Sequence, residues 1–169
     1  ATGKRKGFRV RKSAYYENMY DLFSKNNEIK YLVTRLDLNR YISLLNEEID
    51  ENIKKKEALS DSKCNDGKRK SYDETINSLR KKVDIAKQQK KEKGISIITL
   101  AGAMFMMTDP EIVYLSSGNY EKYLMYNSQY LIQWEMIKYA IKHGYKRYNF
   151  YGTPTTNKDD KNYGIYQFK

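Results

Sequence analysis

The sequence has little cysteine and no long apolar run. Cys64 is the only cysteine among the 169 residues, which excludes an internal disulfide and a cysteine-rich metal site. No apolar stretch approaches the roughly 18 residues that a membrane-spanning helix needs. The sequence also lacks a nucleophile elbow, a zinc-ligand signature and a Walker-type phosphate loop. Motifs of these kinds therefore assign no reaction to the chain.

Positive charge is abundant by contrast. The formal net charge is +11, and heavy use of Lys, Asn and Tyr brings the mean hydropathy to −0.87. This balance favours anionic partners such as RNA, phospholipid surfaces or diphosphates, without choosing among them. A soluble basic protein with no such partner would show the same net charge.

The run Tyr130–Gly152 gives the clearest structural signal. Apolar residues recur there at steps of three and four, which predicts an amphipathic helix with a broad buried face. Lys142 and His143 suit the last turn, and Gly144 suits a left-handed stop. A strand rich in aromatic residues is expected next, before Gly152. The stripe expected to be buried comprises Leu131, Trp134, Ile137 and Ile141, widened by Tyr130, Ile132, Met136, Tyr139 and Ala140.

The first third of the chain predicts a helix and then a strand. Ser13 is placed to cap a helix that runs to about Phe23. Alternation over Ile29–Leu36 predicts a strand.

Leu38–Lys93 has a different texture, typical of two antiparallel helices in a coiled-coil arm. Ser60–Lys70 is the expected polar turn between the helices. The expected seam comprises Ile42, Leu45 and Ile49 in the first helix and Tyr72, Ile76, Leu79, Val83 and Ala86 in the second. The arm, residues 38–93, would be inserted in a domain formed by residues 1–37 and 94–169.

After the arm the pattern predicts strand, turn, strand, loop and helix. Ile95–Met107 is an apolar strand, in which Gly102 suggests a bulge or a close approach of a ligand or backbone. Ile112–Leu115 is a short returning strand, and Ser116–Asn119 is expected to be a loop. This order gives an α+β domain with a mixed sheet.

Two runs, QWEMIKYAIKHGYKRYNFYG and the terminal YGIYQFK, closely resemble the Fem-type (FemA, FemX and MurM) peptidoglycan bridge aminoacyltransferases. KGFRVRKSAYYENMY and the charged arm resemble the family more loosely. The resemblance implies a GNAT-like fold and transfer of an amino acid from aminoacyl-tRNA to a lipid-linked or nucleotide-linked muropeptide. It implies no metal or redox cofactor and a cytoplasmic protein, with peripheral contact at the inner membrane face as an open alternative. Because members carry a related domain ahead of this one and continue beyond the FK pair, a piece of a longer enzyme is expected.

The resemblance also implies site residues. Lys169 matches the lysine of the family's FK pair, which is placed at the reaction centre, although a solvated terminal lysine is the simpler alternative. Arg11 and Tyr15 match an Arg and a Tyr that contact the nucleotide-linked precursor, and Arg9 is an alternative match for Arg11. Tyr114 matches the first of two tyrosines spaced by two, with Ser116 in the second place. A packing role explains Tyr114 equally well.

The arm offers a second candidate site, because its cations could follow an RNA backbone. Ordinary solvated charge on an exposed helix pair is the competing explanation. The cations proposed to contact tRNA are Lys68, Arg69, Lys70, Arg80, Lys81 and Lys82. Two other functions stay open: an acyl-CoA-dependent GNAT transferase, and a non-catalytic coiled-coil module that binds RNA or protein.

Overall fold

A computed structural model describes residues 11–60, 63–152, 156–160 and 163–168 of the chain. The described helices and strands are, in order, α1 Ser13–Phe23, β1 Ile29–Asp37, α2 Leu38–Glu57, α3 Asp66–Lys93, β2 Ile97–Thr108, β3 Glu111–Asn119, α4 Ser128–Lys142, β4 Arg147–Asn149 and α5 Tyr163–Phe168. Short 3₁₀ helices occupy Lys63–Asn65 and Glu121–Tyr126. The fold is therefore mixed α and β, as the sequence predicts.

The strands of the described residues form one mixed sheet in the order β1, β2, β3, β4. Met107 N–H donates to the carbonyl of Glu28, and Leu38 N–H donates to that of Ser96, so β1 and β2 are antiparallel. β2 and β3 are antiparallel, whereas β3 and β4 are parallel. The helix α4 makes the crossover that a parallel pair requires.

The pairing of β2 with β3 corrects two expectations. β3 continues to Asn119, so the expected loop at Ser116–Asn119 is part of the strand. The register shifts where Met104 pairs with Ser116 and the next residue of β2 pairs with Tyr114, which leaves Leu115 as the extra residue of a bulge. The bulge is therefore not at Gly102. Cross-strand hydrogen bonding to β2 overrides the weak strand propensity of the Ser, Gly and Asn residues.

One hydrophobic cluster lies between the sheet and α4. Every second residue of β2 from Ala101 to Met107 contributes to it, because alternate side chains share a face of a strand. Phe105 and Ile112 are fully buried there. The helix contributes three apolar side chains, namely Ile132, Met136 and Ala140.

The buried face of α4 is only one side of the predicted stripe: Ile132, Met136 and Ala140, which were expected to widen it, are buried, whereas most of its expected centre is exposed. Leu131 is 51% exposed, Trp134 58% and Ile141 74%, and Tyr130 is also exposed. The helix and the left-handed Gly144 agree with the sequence, but the centre of the buried face lies at Ile132, Met136 and Ala140 and not at Leu131, Trp134 and Ile141 as predicted. Apolar residues occupy both arcs of this helix, so periodicity alone cannot select the face that packs on the sheet.

The chain divides into two units, one comprising residues 1–34 and 100–169 and the other residues 35–99. In the second unit α2 and α3 pack along a seam of Leu45, Ile49, Ile76, Leu79 and Val83, all at predicted seam positions. The polar turn is shorter than predicted, since α3 already begins at Asp66 and includes Lys68–Lys70.

The helices α1 and α2 differ in their N-terminal caps. Asp37 accepts hydrogen bonds from the main-chain N–H groups of Asn39 and Arg40 at the start of α2. Ser13 is the first residue of α1, not its cap; Lys12 holds the cap position and makes no side-chain cap bond. None of the described helices combines the length and apolar character needed to cross a bilayer.

Candidate functional site

The parallel strands β3 and β4 separate after three paired residues. Glu111, Ile112 and Val113 pair with successive residues of β4, which ends at Asn149. Beyond that point β3 continues beside β2 alone, so the sheet opens next to Tyr114. Such openings at the carboxyl ends of parallel strands are frequent ligand sites in open α/β sheets. This opening is the first element of the candidate site.

A cleft of about 460 Å³ lies along β4 and the residues that follow it. This volume falls within the range of about 300 to 1,000 Å³ typical of small-molecule sites. Arg147 Nε lies 3.8 Å from Glu111 Oε1, and the Arg147 side chain is largely exposed, which leaves its guanidinium accessible to an anion. The lining residues are Glu111, Arg147, Tyr148, Asn149, Phe150, Tyr151 and Tyr166.

Tyr114 is half-buried and held by polar contacts. Its hydroxyl hydrogen-bonds with that of Ser117 and lies 3.2 Å from Gln129 Oε1. Gln129 Nε2 donates to Asn119 Oδ1 at 3.1 Å, which turns the amide oxygen towards Tyr114. Burial raises the pKa of Tyr114, and the neighbouring Ser117 and Gln133 side chains partly oppose the rise. Tyr114 is therefore a fixed, neutral phenol at physiological pH.

A second phenol, that of Tyr148, is held in place on the neighbouring strand β4. The Tyr148 hydroxyl donates to Gln133 Oε1 at 2.5 Å. Burial raises the pKa of Tyr148 well above its ordinary value, and the nearby Tyr114 raises it further. Gln133 is only 4% exposed, and its Nε2 makes no hydrogen bond of ordinary geometry in the structure as described, although the amide lies near enough to Tyr114 to oppose the rise in the pKa of that phenol. Trp134 was expected to be buried, and this expectation was wrong, because the arc of α4 that carries Gln133 faces the sheet.

Of the residues that the family resemblance implies, Arg11 and Tyr15 lie together. The Arg11 guanidinium carbon is 5.5 Å from the centroid of the Tyr15 ring, a cation–π distance. Both side chains are exposed, so both are accessible to a ligand.

Lys169 lies outside the described residues. The preceding helix, α5, ends at Phe168, and Tyr166 within it lines the cleft. The structure thus describes the helix that precedes Lys169 but not Lys169 itself. Its assignment to the reaction centre stays a prediction.

The six cations of the helix pair do not share one environment. Arg69 is half-buried and donates to the carbonyl of Leu59 at 2.8 Å, a contact that stabilises the turn between α2 and α3. The other five are exposed, namely Lys68, Lys70, Arg80, Lys81 and Lys82. Those five are accessible to a polyanion, whereas Arg69 is already engaged.

Sequence reasoning missed Gln129, Gln133 and the cleft residue Arg147. The available signal was the four-residue spacing of the two glutamines, which places both on one helix face. No group of three or more His, Cys, Asp or Glu side chains within the described ranges is arranged to hold a metal ion.

Comparisons with known proteins agree on one family. The sequence model of the FemAB family matches residues 1–169. Aminoacyltransferase FemA of Staphylococcus epidermidis is 28% identical over 174 residues, covering 99% of this chain and 42% of the relative. Lipid II:glycine glycyltransferase of the same species is 28% identical, covering 99% and 41%.

A solved structure, that of FemX, matches 99% of this chain and 44% of its own at 27% identity, with a TM-score of 0.64. The chain thus spans about two fifths of the length of the relatives it matches. Since the family's sequence model matches every residue, the chain belongs to the FemAB family.

Proposed function

We propose that the intact protein transfers an amino acid from aminoacyl-tRNA to an amine of a peptidoglycan precursor. The observation that carries this proposal is the FemAB match over all 169 residues, together with relatives named aminoacyltransferase and glycyltransferase. The proposed reaction needs little from the protein beyond positioning and charge stabilisation, because an ester linked to tRNA is already activated.

In this reaction the acceptor amine attacks the ester carbonyl of the aminoacyl-tRNA. An amide bond forms, the ester C–O bond breaks, and the tRNA hydroxyl leaves with a proton that originates from the amine. A catalyst must hold the two reactants together, stabilise the oxyanion and provide a path for that proton. No cofactor or metal is required by this chemistry.

We assign these roles to the residues that match the family. Lys169 would stabilise the oxyanion or hold a substrate phosphate. Arg11 would bind the precursor's diphosphate through its planar, paired donors, with Tyr15 beside it. Tyr114 would donate a hydrogen bond to donor or acceptor. The Arg11–Tyr15 contact and the fixed phenol of Tyr114 support these assignments.

The finer fold assignment belongs to the same proposal. A GNAT-like core is supported by the succession of two antiparallel strands, a helix and a parallel strand that separates from its neighbour. A coiled-coil arm is supported by the narrow seam between α2 and α3. The alternation of four- and three-residue steps in that seam is the pattern that coiled coils share.

The name of one relative favours a lipid-linked acceptor, since that protein is a lipid II:glycine glycyltransferase. We therefore propose a cytoplasmic protein that acts at the inner face of the membrane. A nucleotide-linked precursor is the alternative acceptor, and a transfer assay with both precursors distinguishes them.

The experiment that tests the function measures transfer of radiolabelled amino acids from charged tRNA to a lysine-containing precursor by the intact protein. Lys169→Ala and Arg11→Ala should each lower kcat/KM at least about tenfold, or about 1.4 kcal/mol. Lys158→Ala and Lys12→Ala are the matched controls, because both lysines are exposed and neither matches a family site. Transfer that survives both site substitutions would remove the residue roles. Absence of transfer, with acylation from acyl-CoA instead, would replace the function.

We also propose that the exposed arm cations bind the tRNA. Arg80→Ala, Lys81→Ala and Lys82→Ala combined should weaken tRNA binding and flatten its salt dependence by about 0.7 to 0.9 for each phosphate that is no longer neutralised. Lys55→Ala is the control, since Lys55 already pairs with Glu51 at 3.5 Å. Unchanged affinity and slope in the triple variant would assign these cations to solvation alone.

A further inference from the structure

The outward arc of α4 carries large apolar side chains. Tyr130, Leu131, Trp134 and Ile141 are between 51% and 74% exposed, and Ile137 among them is half-buried. At 3.6 residues per turn these five positions fall within about 120° of the helix circumference and along about 16 Å of its axis. Large contiguous apolar patches are rare on soluble monomers and mark protein or membrane contacts.

The composition of this arc distinguishes the two kinds of partner. Lys138 lies within the arc and Lys142 at its edge, and the acid that α4 itself carries, Glu135, is paired with Lys138 at 2.7 Å. Lysine is depleted at the core of protein interfaces. Trp and Tyr with flanking Lys are instead typical of helices that lie in the headgroup region, where lysine stems extend along apolar surface and their charges meet anionic lipid.

The arc also adjoins the candidate site along the chain. Ile141 ends the arc, Gly144 turns the backbone, and Arg147 of the cleft follows six residues after Ile141. The net charge of +11 has the sign needed for attraction to an anionic surface.

From these observations we infer that the outward arc of α4 docks on an anionic membrane surface, with its apolar side chains in the headgroup region and Lys138 and Lys142 against lipid phosphates. This inference rests on the proposed function, since a lipid-linked precursor is available only at a membrane. It goes beyond that function by assigning the contact to one helix face.

Trp134 is the only tryptophan of these 169 residues and lies within the arc. In an intact protein whose tryptophans outside these residues are replaced by Phe, its fluorescence therefore reports on this face. The intact protein is titrated with vesicles of equal parts phosphatidylglycerol and phosphatidylcholine, and separately with phosphatidylcholine alone. We expect a saturable blue shift and protection from an aqueous quencher, stronger with the anionic vesicles and weakened by salt.

Variants that retain Trp134 test the face itself. Leu131→Glu and Ile141→Glu should each lower the partition coefficient about tenfold or more, because each removes apolar area and adds a repelled charge. Lys138→Gln with Lys142→Gln should weaken binding to the anionic vesicles only. Leu22→Glu is the matched control, since Leu22 is 70% exposed but lies on α1.

Three outcomes would overturn the inference. If vesicles do not change the Trp134 emission and Trp134 stays accessible to the quencher, the outward arc does not bind membranes. Emission that is already shifted, and that varies with protein concentration, would assign the face to a second copy. Shifted emission independent of concentration would assign it to another part of the polypeptide.

The vesicle experiment contains neither tRNA nor precursor, so its result is independent of transfer. A protein that binds vesicles without transferring would remove only the proposed function. A protein that transfers to a water-soluble precursor without binding vesicles would remove only the membrane contact.

Discussion

The hydroxyl of Tyr148 lies 2.5 Å from Oε1 of Gln133, and this contact joins β4 to the buried face of α4. Gln133 is 4% exposed, so its amide has been removed from water for one hydrogen bond. The other side of the amide, Nε2, makes no hydrogen bond of ordinary geometry in the described structure. A buried donor left unpaired costs about 1 to 3 kcal/mol, so this pair stabilises the fold less than its geometry suggests.

Removal of the Tyr148 hydroxyl should destabilise the protein. Tyr148→Phe leaves Gln133 Oε1 buried without a donor, and the free energy of unfolding should fall by about 1 to 3 kcal/mol. Gln133→Leu should be close to neutral, because it removes the unpaired Nε2 along with the acceptor. In the Gln133→Leu background Tyr148→Phe should therefore cost much less. Denaturant unfolding of the four proteins measures this coupling, with exposed Tyr120→Phe as the control; equal losses in both backgrounds would contradict it.

Stability at alkaline pH should depend on Tyr148. Its pKa is raised above the ordinary value of 10.0, so the folded state retains the phenolic proton where the unfolded chain has released it. The contribution of the protonated Tyr148 phenol to the free energy of unfolding is therefore complete below about pH 10, and it is lost as pH rises towards the pKa of the folded state. Thermal unfolding is measured from about pH 9 to about pH 12, a range that includes the ordinary tyrosine pKa. The melting temperature should fall less steeply with pH for Tyr148→Phe than for the wild type. A wild-type slope for Tyr148→Phe would contradict the assignment.

The N-terminus of α2 should depend on the Asp37 carboxylate. It accepts from the N–H groups of Asn39 at 2.9 Å and Arg40 at 3.2 Å. Asp37→Ala should lower the free energy of unfolding by about 1 kcal/mol, whereas Asp37→Asn should retain most of it, because an amide oxygen also caps. Urea denaturation measures both. A loss as large in Asp37→Asn would point to the charge and the helix dipole instead of the hydrogen bonds.

The packing of α2 on α3 should be sensitive to truncation of the seam. Leu79 is 4% exposed, so Leu79→Ala should cost about 2 to 5 kcal/mol, because it removes buried apolar surface and leaves a cavity. Leu44→Ala, at a position on α2 that is 45% exposed, should cost far less. Hydrogen exchange of α2 and α3 amides measures the difference. Equal protection in the two variants would show that the seam does not hold the pair together.

Some elements of this fold could be predicted because the local sequence pattern is compatible with only one type of element or one buried face. The alternation over Ile29–Leu36 predicts the strand that the structure places at Ile29–Asp37. The steps from Ile76 to Ala86 predict the buried seam positions of α3, since the polar residues between them leave a single apolar face. Gly144 ends α4 as predicted, because its φ of 76° favours glycine.

The candidate site could be predicted only in part. The family resemblance implies Tyr114 and the Arg11–Tyr15 pair, and their roles stay predictions. Gln133 and Arg147 do not, since neither has a local pattern that separates it from ordinary polar residues of a helix or strand. Their roles depend on Tyr148 and Glu111, which lie elsewhere in the sequence and meet them only across packed elements.

By itself, the sequence determined that a helix runs from about Tyr130 to His143 and that a strand follows, because local hydrogen bonding and side-chain spacing decide the type of an element. Only the tertiary structure decided which arc of that helix is buried. Met136 and Ala140 fit against Phe105 and its neighbours on the sheet, while Trp134 and Ile141 face outward. Both arcs are apolar, so the choice rests on shape complementarity with β2 and β3, which no periodicity within one helix can express.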